Sequence, residues 1–177
     1  MNTKEILKQF EQVATYYIEE LSKYSPNEFT RKPSEDEWSL GQMYNHLIRT
    51  ALYMQLGAIE KGLNGEAHEG GEKTEAGQHV YMAGTFPPIR IKVPPQAGYT
   101  PKNPIDKNEV KEGMLQLMEK MREVEPKLIN IPENRKVEHP RFGYLNAVEW
   151  FQLIQMHFRH HLLQKERIDQ FLLNESK

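Results

Sequence analysis

Three of the seven histidines in this chain of 177 residues lie close together, within residues 150–171. The stretch has the periodicity of an amphipathic helix, because its apolar residues fall on one side at about 100° per residue. That apolar side comprises Ala147, Trp150, Phe151, Ile154, Phe158, Ile168 and Leu172. His157 and His161 share it, whereas His160 lies about 100° from its centre. Two imidazoles one helical turn apart on one face can bind one metal ion.

A catalytic zinc-type site usually has a third protein ligand, and His46 is the natural candidate for it. His46 lies at the edge of the inward side of a second amphipathic segment. Three imidazoles would leave coordination positions open for a water molecule or a thiolate, either of which could attack an electrophile. The alternative is that these histidines pack in the core with ordinary hydrogen bonds and no ion. The spacing alone leaves both interpretations open.

The composition narrows the chemistry further. The chain has no cysteine, which excludes disulfides, thiolate metal sites and a cysteine nucleophile. Its net charge of -2, with both signs mixed along the chain, argues against a nucleic-acid-binding face. Its apolar runs are too short for a membrane span, and its start lacks an apolar signal core. We therefore expect a single cytoplasmic domain over residues 1–177, with no nucleic-acid or membrane partner.

Four long amphipathic segments must position the histidines. They are predicted as helices over Thr3 to Tyr24, from Ser39 to about Gly62, from about Asp106 to Pro126, and from Asn146 to about Leu173. Each begins with a possible capping box, formed by Asn2 and Glu5, Ser39 and Gln42, Asp106 and Glu109, and Asn146 and Glu149. The inward stripe of the second comprises Leu40, Met43, Leu47, Ala51, Met54 and Ala58. The pattern predicts an all-α, antiparallel four-helix bundle with a long overhand link between helices two and three.

The connections carry weaker signals. Residues 64–104 hold 6 of the 11 glycines and 6 of the 11 prolines, which is typical of a long functional or mobile loop. Within it, Ile89 to Val93 alternates like a marginal strand. Residues 128–144 read as a second irregular connection. We expect His68 and His79 to be exposed rather than ligating, and Arg159, Lys165 and Arg167 to form a solvated face.

Several short motifs then resemble one family, in the same order along nearly the whole chain. They are Trp38-Ser39-Leu40-Gly41-Gln42 with His46-Leu47, His139-Pro140-Arg141-Phe142-Gly143-Tyr144-Leu145-Asn146, Glu149-Trp150, and His157-Phe158-Arg159-His160-His161-Leu162-Leu163-Gln164. The chain resembles the DinB/YfiT-like superfamily. That resemblance implies an antiparallel four-helix bundle, often a homodimer, with one divalent ion (zinc, nickel or iron). It implies His46, His157 and His161 as the ligands, in agreement with the helical phase.

The resemblance also suggests chemistry. Characterised relatives include thiol-dependent S-transferases that use bacillithiol or mycothiol, and a thiol-dependent isomerase. Our leading hypothesis is a metal-dependent enzyme that transfers a low-molecular-weight thiol to a small electrophile. The alternatives are a metal-dependent hydrolase of a small ester or amide, and a non-catalytic ligand-binding bundle. No general base is assigned; Gln164 is a candidate for orienting a ligand.

Overall fold

A computed structural model describes residues 2–90 and 100–176 of the chain. The described part is mostly helical and carries a small three-stranded sheet. The α-helices are α1 (Thr3–Glu20), α2 (Pro26–Thr30), α3 (Leu40–Arg49), α4 (Leu56–Leu63), α5 (Glu75–Ala83), α6 (Lys107–Val124) and α7 (Ala147–Glu175). The strands are β1 (His68–Glu69), β2 (Arg135–His139) and β3 (Gly143–Asn146). Within residues 2–90 and 100–176, no helix is long and apolar enough to cross a membrane.

The long helices begin where the capping signals predict. Ser39 accepts a hydrogen bond from the backbone N–H of Gln42 while the Gln42 side chain accepts from that of Ser39, and Asn146 and Glu149 form the same reciprocal pair. Asn2 and Asp106 cap α1 and α6 through the side chain of the N-cap residue. The four predicted helix starts are therefore confirmed. Two helices end in 3-10 turns, at Leu21–Lys23 after α1 and at Glu125–Asn130 after α6.

The core lies where α1, α3, α6 and α7 pack against one another. Its centre is aromatic: the Phe10 and Phe158 rings meet edge to face at 5.2 Å. Two buried tyrosines tie helices together, because the Tyr17 hydroxyl donates to the Phe158 carbonyl over 2.9 Å and the Tyr44 hydroxyl donates to the Tyr17 carbonyl over 2.7 Å. These bonds join α1 to α7 and α3 to α1, so the helices that carry His46 and the His157/His161 pair are held through a common partner.

The second predicted helix is interrupted by a π-helical turn at Thr50–Gln55. A π turn contains one residue more than an α turn, so it rotates the inward face of everything that follows. Met54, predicted to face the core, is 37% exposed, whereas its neighbour Gln55 is only 3% exposed. The predicted stripe is thus correct as far as Ala51 and again at Ala58, and it is wrong at Met54. Periodicity at a constant 3.6 residues per turn could not anticipate the change of register.

The two segments predicted as irregular contain the sheet. β1 pairs antiparallel with β2, and β2 pairs antiparallel with β3. The turn into β3 contains Gly143 at φ 76°, where a Cβ atom would lie 2.6 Å from the Glu72 carbonyl oxygen. The fold was predicted as all-α and these segments as irregular, so the small sheet is a difference from the prediction. Its strands are short, and β1 pairs with β2 across segments distant in sequence.

The first half of the long link is ordered against this hairpin. The backbone N–H of Thr74 donates to the Phe142 carbonyl over 3.0 Å, and that of Tyr144 donates to the Glu72 carbonyl over 3.1 Å. Thr74 then caps α5 through its side chain. The marginal strand predicted for residues 89–93 is not present at Ile89 and Arg90, and its remainder lies outside the described residues.

One residue assigned to the solvated face of the last helix is buried instead. Lys165 is 1% exposed, and its Nζ donates to Glu20 Oε2 over 2.8 Å and to Asp169 Oδ2 over 2.7 Å. Arg159 and Arg167 are exposed, as predicted. The prediction failed at Lys165 because its carboxylate partner Glu20 comes from α1, and a helical pattern does not show which residues of another helix will face it.

Candidate metal centre

Two helices bring three histidines together. His46 lies on α3, and His157 and His161 lie one turn apart on α7. The capping box at the start of α3 sets the phase of His46, and the apolar stripe of α7 turns the histidine pair toward α3. All three rings are partly buried. The structure therefore brings together the three residues that the sequence analysis proposed as ligands.

The three imidazoles point their Nε2 atoms at one place. The Nε2 atoms of His46 and His157 are 3.2 Å apart, and those of His157 and His161 are 3.1 Å apart. One ligand atom from each ring lies within 4.8 Å of the other two. Ligand nitrogens at about 2.05 Å from a tetrahedral ion are separated by about 3.3 Å. Both of these Nε2–Nε2 distances are close to the spacing that one shared ion requires.

The hydrogen bonds at the Nδ1 atoms of two of the rings support the same interpretation. Gln164 Oε1 lies 2.7 Å from His161 Nδ1. Because an amide oxygen only accepts, His161 carries its hydrogen on Nδ1, and the lone pair of its Nε2 faces the cluster. Thr50 Oγ1 lies 3.4 Å from His46 Nδ1 and can hold that ring in the same way. Hydrogen-bonded Nδ1 atoms of this kind are typical of metal-binding histidines.

Hydrogen bonds among the three rings cannot satisfy all of their nitrogen atoms. The Nε2 atom of His157 has two Nε2 neighbours, yet a neutral ring offers at most one hydrogen there. Within the described residues, His157 Nδ1 is buried and has no hydrogen-bond partner. A cation would take the lone pairs of all three Nε2 atoms at once. The donor set therefore fits a divalent metal ion, which three imidazoles bind well.

The environment keeps the cluster neutral. Burial lowers the pKa of His46 to about 4, and burial together with the nearby His46 charge lowers the pKa of His161 to about 3. Burial lowers the pKa of His157 well below its ordinary value, and the other two rings add to the effect. All three imidazoles are unprotonated near neutral pH. They can accept a cation there without first releasing a proton.

Aromatic rings flank the cluster on two sides. The Trp38 ring lies 4.9 Å from the His46 ring, just before α3. The Phe86 ring, from the link after α5, lies 6.5 Å from the His157 ring and 5.2 Å from the His160 ring. Sequence analysis used Trp38 only within a family motif and missed Phe86. No signal in a long Gly- and Pro-rich link could have placed Phe86 beside residues of α7.

The remaining histidines do not join the cluster. His160 packs against Phe86, outside the three-histidine group. His68 and His79 are exposed, as predicted. His139 shapes the β2–β3 turn, because its Nδ1 accepts the backbone N–H groups of Arg141 and Phe142 over 3.1 and 3.2 Å. Gln164, predicted as a candidate for orienting a ligand, contacts His161 of the cluster.

A comparison with protein families gives a match that covers most of the chain. The family model of the DinB superfamily matches residues 9–164, which is most of the chain and includes all three clustered histidines. No curated protein sequence matches the chain.

Proposed function

The chain belongs to the DinB superfamily, and we propose that His46, His157 and His161 bind one divalent metal ion that serves a thiol-dependent enzyme. The convergence of three Nε2 atoms, with separations of 3.1 and 3.2 Å between neighbours, is the observation that carries the proposal. Three neutral imidazoles with no carboxylate or thiolate among them suit zinc, nickel or iron. Three protein ligands also leave coordination positions open, as in catalytic sites.

The reaction that we propose is transfer of a low-molecular-weight thiol to a small electrophile. A divalent ion at the three histidines would lower the pKa of a thiol that binds to it. The thiol must come from a cosubstrate, because the chain contains no cysteine. In the transfer, the sulfur forms a bond to an electrophilic carbon, the leaving group departs with the electron pair of the broken bond, and the thiol proton passes to solvent.

The surrounding residues contribute to this chemistry. Gln164 fixes the tautomer of His161, so that its Nε2 lone pair faces the cluster. Trp38 and Phe86 exclude water from two flanks of the cluster. Exclusion of water strengthens electrostatic interactions at the site and protects a thiolate from solvation. None of these side chains is a strong base, and we assign no general base.

Two measurements test the proposal. The first is elemental analysis of the full chain purified without a histidine tag, for which we expect one zinc, nickel or iron ion per chain. The second is turnover of 1-chloro-2,4-dinitrobenzene with cysteine, glutathione or bacillithiol, which should require both metal and thiol. Absence of metal under every condition would overturn the proposal in favour of a non-catalytic binding bundle. Turnover of p-nitrophenyl acetate without thiol would favour a hydrolase.

The expected assembly belongs to the same proposal. We propose that the long helical segments form an antiparallel four-helix bundle, that residues 1–177 are a single domain, and that two copies associate in the cytoplasm. Support comes from the mutual packing of α1, α3, α6 and α7 and from the family. Light scattering on the purified chain should give the mass of a dimer, and the mass of a monomer would contradict this part.

A further inference from the structure

The link after α5 meets the histidine cluster on its α7 side. The Phe86 ring lies 6.5 Å from the His157 ring and 5.2 Å from the His160 ring. It also packs 5.6 Å from the ring of Phe142, at the β2–β3 turn. Phe86 is partly buried, whereas the other residues of 85–90 are exposed. A single aromatic side chain is therefore what this part of the link places against the cluster.

The same stretch reaches the α3 side of the cluster four residues further on. Arg90 forms an ion pair with Glu37. Glu37 directly precedes Trp38, whose ring lies 4.9 Å from the His46 ring. Four extended residues span at most about 14 Å. The stretch from Phe86 to Arg90 therefore passes close to the cluster as it crosses from α7 to α3, and we term residues 84–90 the strap.

Few contacts hold the strap in place. Among residues 2–90 and 100–176, the hydrogen bonds of residues 85–89 stay inside the strap. They run from the Thr85 hydroxyl to the Phe86 carbonyl and from the Ile89 N–H to the Pro87 carbonyl. The side chains of the Arg90–Glu37 ion pair are 43% and 32% exposed, and a pair so open to solvent contributes little stability. The packing of Phe86 and this one ion pair thus attach the strap to the rest of the protein.

A third charge weakens the ion pair. Burial and the charge of Arg90 lower the pKa of Arg167 on α7, whereas the charge of Glu37 raises it. Arg167 therefore lies within electrostatic reach of both partners, so it attracts Glu37 and repels Arg90. Both effects act against the closed position of the strap.

The backbone of the strap is stiff beyond a single flexible point. Gly84 follows α5 in the left-handed conformation, at φ 66°, which glycine adopts without steric cost. Pro87 and Pro88 fix their own φ angles and restrict the residue before each of them. Rotation at Gly84 and Thr85 would therefore move Phe86 away from the cluster as part of one rigid piece, without disturbing α5, which ends at Ala83.

We infer that the strap is a movable wall of the three-histidine centre, which Phe86 closes and which the ion pair of Arg90 with Glu37 holds shut. Molecules from solvent reach the cluster on this side when the strap swings out about Gly84. The inference goes beyond the proposed function, because it concerns access to the cluster and not the reaction. It applies to the metal-free protein as well.

The experiment measures how fast a reagent reaches the cluster in the full, metal-free chain. Diethyl pyrocarbonate transfers its ethoxycarbonyl group to an unprotonated imidazole nitrogen, with release of ethanol and carbon dioxide. Tandem mass spectrometry gives the rate at each histidine separately. The exposed His68 and His79 are standards within every sample, and the chain has no cysteine to compete. In the wild type we expect the cluster to react at least about tenfold more slowly than His79, as for an open state populated at about 10% or less.

Variants separate the wall from what holds it shut. Phe86→Ala removes the wall and should raise the rate at the cluster about tenfold. Arg90→Gln and Glu37→Gln leave the wall intact and remove only the ion pair, so each should raise the rate about two- to fivefold. The matched control is Ile89→Ala, because Ile89 is also an apolar residue of the strap but is 58% exposed. It should leave the rate unchanged.

An exchange of the two charges provides a rescue. The double variant Glu37→Arg/Arg90→Glu restores an ion pair of opposite polarity. Arg167 then attracts the strap residue at position 90 instead of repelling it. The rate at the cluster should therefore return to the wild-type value or fall below it.

Each contrary outcome is distinct. If the wild-type cluster reacts as fast as His79, or if Phe86→Ala leaves the rate unchanged, there is no wall and the inference is overturned. A rise in Phe86→Ala without one in Arg90→Gln and Glu37→Gln would mean that the wall is fixed, which also overturns it. So would an equal rise in Ile89→Ala, since that would indicate general loosening of the link. Absence of metal, which would overturn the proposed function, leaves this test unaffected.

Discussion

Two polar clusters lie in succession along the same face of α7. His157, His161, Lys165 and Asp169 follow one another at intervals of four residues, so each lies about one turn beyond the last. The first pair joins His46 of α3 to form the histidine cluster. The second pair joins α1, through Glu20, to form what we term the lysine cluster: Lys165, Glu20, Asp169 and Tyr24.

The clusters differ in how their polar groups are satisfied. In the lysine cluster, the Lys165 ammonium donates to two carboxylates, and the Tyr24 hydroxyl donates to Asp169 Oδ1 over 2.5 Å. Lys23 pairs with the other oxygen of Glu20, so two cations meet two carboxylates and the charges are balanced within the protein. The histidine cluster combines three neutral rings whose Nε2 atoms face one another and present lone pairs. A cluster that is complete stabilises the fold, whereas one that needs an added cation is suited to binding.

The largest effect that we expect is the loss of metal from a ligand variant. His157→Ala should weaken metal binding by about 1,000-fold or more, because loss of a ligand costs more than the 10–100-fold typical of its hydrogen-bond partners. Helical circular dichroism should be retained. Elemental analysis after dialysis against a chelator measures the effect, with His160→Ala as the matched control that keeps its metal. Stoichiometric metal in His157→Ala would show that the histidine cluster is not the metal site.

The next effect concerns the lysine cluster. Lys165→Met should lower the free energy of unfolding by about 3 kcal/mol, because it removes the buried cation that pairs with the mostly buried Glu20 carboxylate and with the partly exposed Asp169 carboxylate. Urea unfolding of the metal-free protein measures this. Lys23→Met is the control, since Lys23 is an exposed partner of Glu20 and should cost less than about 1 kcal/mol.

Variants of the two clusters should also differ in whether they retain metal. Lys165→Met should keep its metal, whereas His157→Ala should lose it. A loss of metal in Lys165→Met without unfolding would mean that the clusters are coupled, and the division into a stabilising and a binding cluster would fail.

The histidine cluster should make the stability of the metal-free protein depend on pH. The folded-state pKa values of its histidines lie below the ordinary value, at about 4 for His46 and about 3 for His161. Between about pH 6.5 and these values the unfolded chain binds more protons, so stability falls as the pH falls. Because the rings are partly exposed, we expect a total loss of about 2 kcal/mol between pH 7 and pH 5.

The control for this effect is a variant with leucine at His46, His157 and His161, which should lose less stability over the same pH interval. The difference between the two proteins isolates the cluster from His139, whose pKa burial also lowers to about 4. Urea unfolding at each pH measures the stability of the two metal-free proteins. If both lost the same stability between pH 7 and pH 5, the expectation would be contradicted.

The smallest effect concerns the residue that orients a ligand. Gln164→Ala should weaken metal binding about tenfold, because His161 loses the acceptor that holds its hydrogen on Nδ1. Gln164→Glu should bind metal at least as tightly as the wild type, since a carboxylate also accepts that hydrogen. Competition with a chromophoric chelator measures both affinities. Equal metal affinities in the wild type, Gln164→Ala and Gln164→Glu would show that Gln164 does not orient His161 for metal binding.

Local signals in the sequence were enough to predict where the four long helical segments begin and which histidines of the last one share a face. Helix starts depend on a side chain and a backbone N–H three residues apart, which a sequence displays directly. The positions of His157 and His161 on one face follow from the helical repeat. The spacing alone left open whether His46 would join them; the resemblance to the superfamily indicated that it would, and the packing of α3 on α7 brings the three together.

Other features depended on contacts that no local pattern contains. The β2–β3 hairpin is extended by β1, which lies far from it in sequence, and Lys165 is buried because Glu20 of α1 meets it. The π turn exposes Met54 through a single extra residue. Phe86 reaches the histidine cluster only because the link first docks on the β2–β3 turn.

The sequence by itself therefore determined where the long helical segments begin and which histidines can share a face, since these follow from hydrogen bonds and periodicity within a few residues. Only the tertiary structure decided which polar groups meet. It separated a lysine cluster, whose charges are balanced by ion pairs, from a histidine cluster whose Nε2 atoms converge. The physical reason is that charge and hydrogen-bond balance is a property of groups in contact, and these groups come from different helices.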